Sequence, residues 1–184
     1  MLAEAKIYCR GTLMDIGTCK LLARYNQAAN TEMNALIGKL DNGRWTKEFE
    51  GYFKSVRDVC NHIYIADFNW LKRFGKLREF DYAKDAIFAG DISFDTIYLS
   101  SVNDYLAKRE ELDNKLIRFV DELRPDDFDR TLSYSDSRGA MHSRNFGGLI
   151  VHAFNHQTHH RGMVSIYLDF FNVPNDFSNI VPLV

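Results

Sequence analysis

Proline is scarce in this 184-residue chain, and the three present, Pro125, Pro174 and Pro182, each stand where a helix is not expected to continue. Long helices are therefore not interrupted. Cysteine is equally sparse: Cys9, Cys19 and Cys60 are odd in number, widely spaced and lack a CxxC pairing. That pattern argues against a disulfide framework and predicts reduced thiols in a cytoplasmic setting. No excess of either charge exists, since 23 basic and 25 acidic residues leave a net charge of -2. No electrostatic footprint for nucleic acid or an anionic membrane follows from such a balance. No run approaches the roughly 20 apolar residues that cross a bilayer as a helix. Glu4, Lys6 and Arg10 interrupt the apolar core that an export leader needs, so none is expected.

What is present is a hydrophobic content of 46%, enough for one sizeable core but not two, so a single domain over residues 1–184 is expected. Four segments carry helical periodicity. The first runs from Cys19 to Leu40, with Asp41-Asn42-Gly43 as its stop signal. The second runs from Tyr52 to Phe74, with Phe53, Val56, Cys60, Ile63, Trp70 and Phe74 in an apolar stripe that also contains Asp67. The third runs from Ile97 to Leu123, where Lys108, Arg109, Glu110, Glu111 and Asp113 read as a solvated face. The fourth runs from Arg144 to Phe171 and ends before Pro174. Before it, residues 131–143 alternate weakly around Asp136-Ser137-Arg138-Gly139, which predicts a small β-hairpin. An all-α four-helix bundle with that hairpin is the expected fold.

Steps of three and four along the last segment give Phe146, Leu149, Ala153, His156, His160, Val164, Tyr167 and Phe171. Two histidines thus fall on the apolar stripe, whereas His152 and His159 fall on a flanking polar line. Imidazoles at i and i+4 project side by side and suit one metal ion at about 2.0–2.1 Å from each nitrogen. Hydrogen-bonded core histidines are the competing reading, because an HxxxH pair also arises by chance. Gln157 follows His156 where a zinc protease needs a glutamate base, so that chemistry is disfavoured. A third ligand must come from another helix. His62 is the only histidine on one, at the edge of its stripe, while Asp67 is a competing ligand or a carboxylate that orients an imidazole.

The stretch FNHQTHHRG at residues 154–162 resembles the C-terminal signature of the DinB (DinB/YfiT-like) family of metalloenzymes. ARYNQAAN at 23–30, SVRDVCNHIYIADFNWLKRF at 55–74 and GGLIVHAFNH at 147–156 resemble it as well, so the likeness covers residues 20–172. It implies a DinB/YfiT-like bundle with a divalent metal, zinc or nickel, on His62, His156 and His160. It also implies a transferase that activates a low-molecular-weight thiol against a small-molecule electrophile, and a homodimer. Exposed aromatics expected at Trp45, Phe49 and Phe94 would serve such a dimer. Tyr25 and Asn26 become pocket-lining candidates on resemblance alone, although Tyr25 is more simply core. Met163 replaces the family's glutamine after HRG. Arg161, rotated about 100° from His160, reads equally as a carboxylate-steering or a surface residue. The alternative reading is a non-catalytic metal-binding or stress-response bundle, closed by a fourth ligand such as Asp67 or His152.

Overall fold

The computed structural model describes residues 13–184; Glu4, Lys6, Cys9 and Arg10 lie outside the described residues. Its long helices are α1 (Ile16–Ile37), α3 (Val56–Phe74), α4 (Val102–Glu122) and α5 (Phe146–Phe170), with a one-turn helix α2 (Asn42–Thr46) after α1. Two strands, β1 (Thr131–Ser135) and β2 (Met141–Asn145), pair antiparallel between α4 and α5, with Thr131 opposite Asn145 and Ser135 opposite Met141. In the bundle α1 packs on α4 and α5, and α3 packs on the same two neighbours. The expected fold is the observed one. No described helix is long and apolar enough to cross a membrane.

Short polar side chains set where the helices begin. Asp15, Asp41, Ser55, Ser101 and Asn145 each accept a hydrogen bond from the backbone N–H three residues on, which satisfies a donor that the first turn leaves free. These caps correct the expected boundaries. Helix α1 begins three residues before Cys19 and stops at Gly38, whose N–H donates to the Asn34 carbonyl. Asp41-Asn42-Gly43 opens α2 rather than closing α1, because the Asp41 carboxylate accepts from Arg44 N–H at 2.8 Å. Tyr52, Ile97 and Arg144 all precede their helices, with Arg144 paired in β2.

The hairpin leads straight into α5. Phe146 N–H donates to the Arg130 carbonyl at 2.8 Å and Gly147 N–H to that of Phe128 at 3.0 Å. A β-carbon at Gly147 would stand 3.0 Å from the Phe128 oxygen, so the close approach of α5 to the preceding chain favours glycine there.

Aromatic side chains fill much of the core: Phe74 stacks on Phe119 at 5.2 Å and meets Phe146 edge-on, while Tyr82 packs against Phe119. Trp45 is fully buried and donates from Nε1 to the Ser100 carbonyl. It is therefore not an exposed interface aromatic, and Phe49 is only half-buried, leaving Phe94 as an exposed ring of the expected three.

Charged side chains also lie inside. Arg109 and Asp113 are buried, not solvated. Arg109 donates to Asp67 at 2.6 Å and to Asp113 at 2.7 Å, and Asn30 donates to Asp113 at 2.9 Å. Arg161 is likewise buried rather than on the surface, donating to Asn26, Asn30 and Gln157. The network joins all four long helices, and its two guanidinium groups balance its two carboxylates in charge. Burial pushes Asp67 and Asp113 upward against the pull of Arg109. Its partners place Gln157 and Arg161 in the buried arc of α5 with Ile150, Phe154, Val164 and Leu168. The arc is rotated from the predicted stripe, and Ala153, His156, Tyr167 and Phe171 border it half-buried.

Candidate metal centre

Helix α3 carries His62 and α5 carries His156 and His160, and the packing of these two helices brings the three side chains together. His62 Nε2 lies 3.1 Å from His156 Nε2, which lies 3.1 Å from His160 Nε2. One nitrogen from each ring falls within 4.8 Å of the others. His160 is buried, whereas His62 and His156 are half-buried at the border of the core.

Protons alone do not satisfy this arrangement. His156 Nε2 either donates one proton or accepts along one in-plane lone pair, yet it faces two other ring nitrogens. A cation accepting one lone pair from each ring resolves the conflict. Four-coordinate zinc at about 2.0–2.1 Å from each nitrogen places ligating nitrogens about 3.3 Å apart, close to the spacing seen here. The residues thus fit a divalent ion.

Protonation favours the same use. Burial, then repulsion from His160 and His62, lowers His156 to about 3. Burial, followed by the charge of His62 and His159, lowers His160 to about 4. Burial also depresses His62. All three rings are therefore neutral near pH 7, the form that ligates a metal.

Aromatic and thioether side chains surround the imidazoles. Phe53 packs against His62 at 4.9 Å and edge-on against His160 at 5.4 Å, and Phe94 approaches His62 at 5.2 Å. Met163 Sδ lies 3.3 Å from His160 Nδ1, the position through which a ligating imidazole ordinarily engages an oxygen acceptor. His156 Nδ1 is buried with no protein partner among the described residues.

The competing ligands stand elsewhere. Asp67 is held by Arg109, and His152 is exposed, packs on Trp70 and lies outside the three-histidine group. Tyr25 donates its hydroxyl to the Phe177 carbonyl, and Asn26 accepts from Arg161. The roles of Phe53 and Phe94 at the histidines were not legible in the sequence; Phe53 read as a core residue and Phe94 as an interface aromatic. Arg161, which follows His160 in α5, is buried and engaged by Asn26, Asn30 and Gln157 rather than exposed at the surface.

Comparison with known proteins identifies the family to which the chain belongs. The DinB family model matches residues 12–170. A relative, "Protein DinB" of Bacillus subtilis (strain 168), is 21% identical over 160 residues, spanning 85% of this chain and 89% of its own length. The chain belongs to the DinB family.

Proposed function

We propose that this DinB-family chain is a metal-dependent enzyme that holds a divalent ion, zinc or nickel, on His62, His156 and His160 and joins a low-molecular-weight thiol to a small electrophile. The observation that carries the metal assignment is the convergence of three imidazole nitrogens, with two contacts of 3.1 Å and no fourth described ligand in the group. Three protein ligands with an open position mark a catalytic rather than a structural zinc site. Such an ion supplies positive charge that lowers the pKa of a thiol or water bound beside it, so that the nucleophilic anion forms near neutral pH.

The protein's own residues prepare that position. The low proton affinity of His156 and His160 keeps their lone pairs available at neutral pH. Phe53 and Phe94 pack at a tilt against His62, which sets apolar rings beside that position. Asp67, engaged by Arg109, is kept from closing the site as a fourth ligand.

Elemental analysis of the wild type beside His62→Ala, His156→Ala and His160→Ala tests the site. About one ion per chain in the wild type and a marked loss in each variant is expected, and equal metal content in all four would overturn it. For the reaction, the metal-loaded protein is assayed with small electrophiles and several cellular thiols. Turnover retained in a metal-free variant would remove the mechanism.

A further inference from the structure

The histidine line of α5 runs directly into an apolar one. Steps of four, three, four and three from His156 lead through His160, Met163 and Tyr167 to Phe170, so the ligands and an apolar strip share one helix face. The segment between α2 and α3 lies opposite that strip. Its Phe49 ring stacks on Phe170 at 5.3 Å, and the Phe53 carbonyl accepts from the Tyr167 hydroxyl at 2.7 Å. Gly51, at φ +150°, takes a backbone conformation that side-chain-bearing residues rarely adopt, and Tyr52 beside it is 89% exposed.

Between these walls lies a groove of about 330 Å³, with Phe49, Tyr52 and Phe53 on one side and Met163, Ile166 and Phe170 on the other. Two of the wall residues are those that touch the ligands: Phe53 packs on His62 and His160, and Met163 reaches His160. Among the described residues that line it only Glu50 is charged, and none is a cation; Lys47 lies 5.8 Å from the Phe49 ring centroid without lining the groove. An anionic ligand therefore finds no partner there among the described residues.

The dimensions select the occupant. Small-molecule sites measure about 300–1,000 Å³ and are mostly apolar, whereas a stable protein interface takes about 20–30 residues from each side. Eight residues line this groove, and it is concave. We infer that it binds the uncharged apolar part of the electrophile, an arene or short alkyl chain, and directs the reacting end past Phe53 and Met163 to the three histidines. The direction toward the histidines rests on the metal-enzyme reading, whereas occupancy of the groove by an apolar molecule does not require metal.

The test titrates N-phenyl-1-naphthylamine, an uncharged fluorescent arene, into metal-free and zinc-loaded protein. Phe170 and Ile166 are 64% and 55% exposed, so Phe170→Asp and Ile166→Asp are expected to fold, with circular dichroism and thermal melts as checks. Saturable binding in both forms is expected, weakened about ten-fold by either substitution while zinc content stays unchanged. The ¹³C-methyl resonance of Met163 is expected to shift during the titration, a readout that needs no change in the groove. His156→Ala is expected to lose zinc yet keep the probe, so failure of the metal site and failure of the groove are separately visible. Absence of probe binding, or binding indifferent to both substitutions with Met163 unshifted, would overturn the inference. It is also overturned if the wild type dimerises and Phe170→Asp yields a monomer, since the groove would then be a contact between copies.

Discussion

Two groups of polar side chains interrupt the apolar core of this bundle, and they meet the cost of burial in opposite ways. The Asp67–Arg109–Asp113 cluster, extended through Asn30 to Arg161, places charges of both signs against one another. The histidine cluster places three like groups together with no opposite charge among them. Burying charge is tolerable when it is paired and hydrogen-bonded. The network meets that condition from within the chain, whereas the histidines escape it by staying neutral and leave His156 Nε2 facing two ring nitrogens that it cannot both satisfy. A self-sufficient polar group ties helices together; an incomplete one is poised for something the chain does not contain.

The sharpest way to break this contrast is to remove one member from each group. Arg109→Met leaves Asp67 and Asp113 buried without their cation, and unfolding by denaturant should show a loss of about 3–5 kcal/mol. Such a loss is a large share of the 5–15 kcal/mol that holds an ordinary domain folded. A variant of unchanged stability would mean that the network does not hold the helices. His62→Ala, in contrast, is expected to change metal-free stability by less than about 1 kcal/mol, because a half-buried neutral ring is lost without stranding a charge. Its effect should fall on zinc affinity, weakened by more than about 100-fold in competition with a chromophoric chelator, beyond the 10–100-fold typical of residues that only support ligands.

The difference between the groups also explains what the sequence could tell. The order of long helices, the hairpin and the His156–His160 pair all follow from periodicity, because apolar spacing and turn residues encode them locally. Arg109 reads as solvated in the sequence although it falls on the line Val102, Tyr105, Arg109, Leu112 and Leu116. A charged residue among charged neighbours looks solvated until its partners on other helices are known. Asp67 on α3 and Gln157 and Arg161 on α5 hold corresponding inward positions, and only together do they mark a buried network. Asp41-Asn42-Gly43 is ambiguous for another reason: the residue types that commonly follow a helix end are also those that cap a helix start, as Asp41 does for α2. Spacing alone does not decide for His62, which family resemblance implies, and in the structure it stands 3.1 Å from His156.

A smaller effect should appear with pH. An unfolded histidine takes up a proton near pH 6.5, whereas burial lowers His156 to about 3 and His160 to about 4 in the folded chain, and depresses His62 as well. Below about pH 6.5 the unfolded state therefore binds more protons, and the stabilisation present above that pH is lost progressively as the folded values are approached. In denaturation midpoints of metal-free protein, measured in chelator from pH 8 to 4, the histidine contribution should be level above about 6.5 and fall below it, opposed by that of Asp67, which burial raises to about 7. The variant with glutamine at all three positions should lose part of that slope. An equal slope in both proteins would assign the acid sensitivity to other groups.

The finest distinction concerns the support of a single ligand. A metal-bound imidazole is oriented when its second nitrogen donates to an oxygen, which also raises the basicity of the ligating atom. At His160 that nitrogen meets the Met163 thioether at 3.3 Å, a weak acceptor. Met163→Gln is expected to put an amide oxygen within reach of His160 Nδ1. Zinc affinity is expected to rise about three- to ten-fold, with little change in metal-free stability. The same substitution adds a polar group to the wall of the apolar groove, so binding of the uncharged arene should weaken as zinc binding tightens. Opposite movements in one variant would show that Met163 serves the groove at the expense of the metal; a tighter zinc site with unchanged arene binding would separate the two regions.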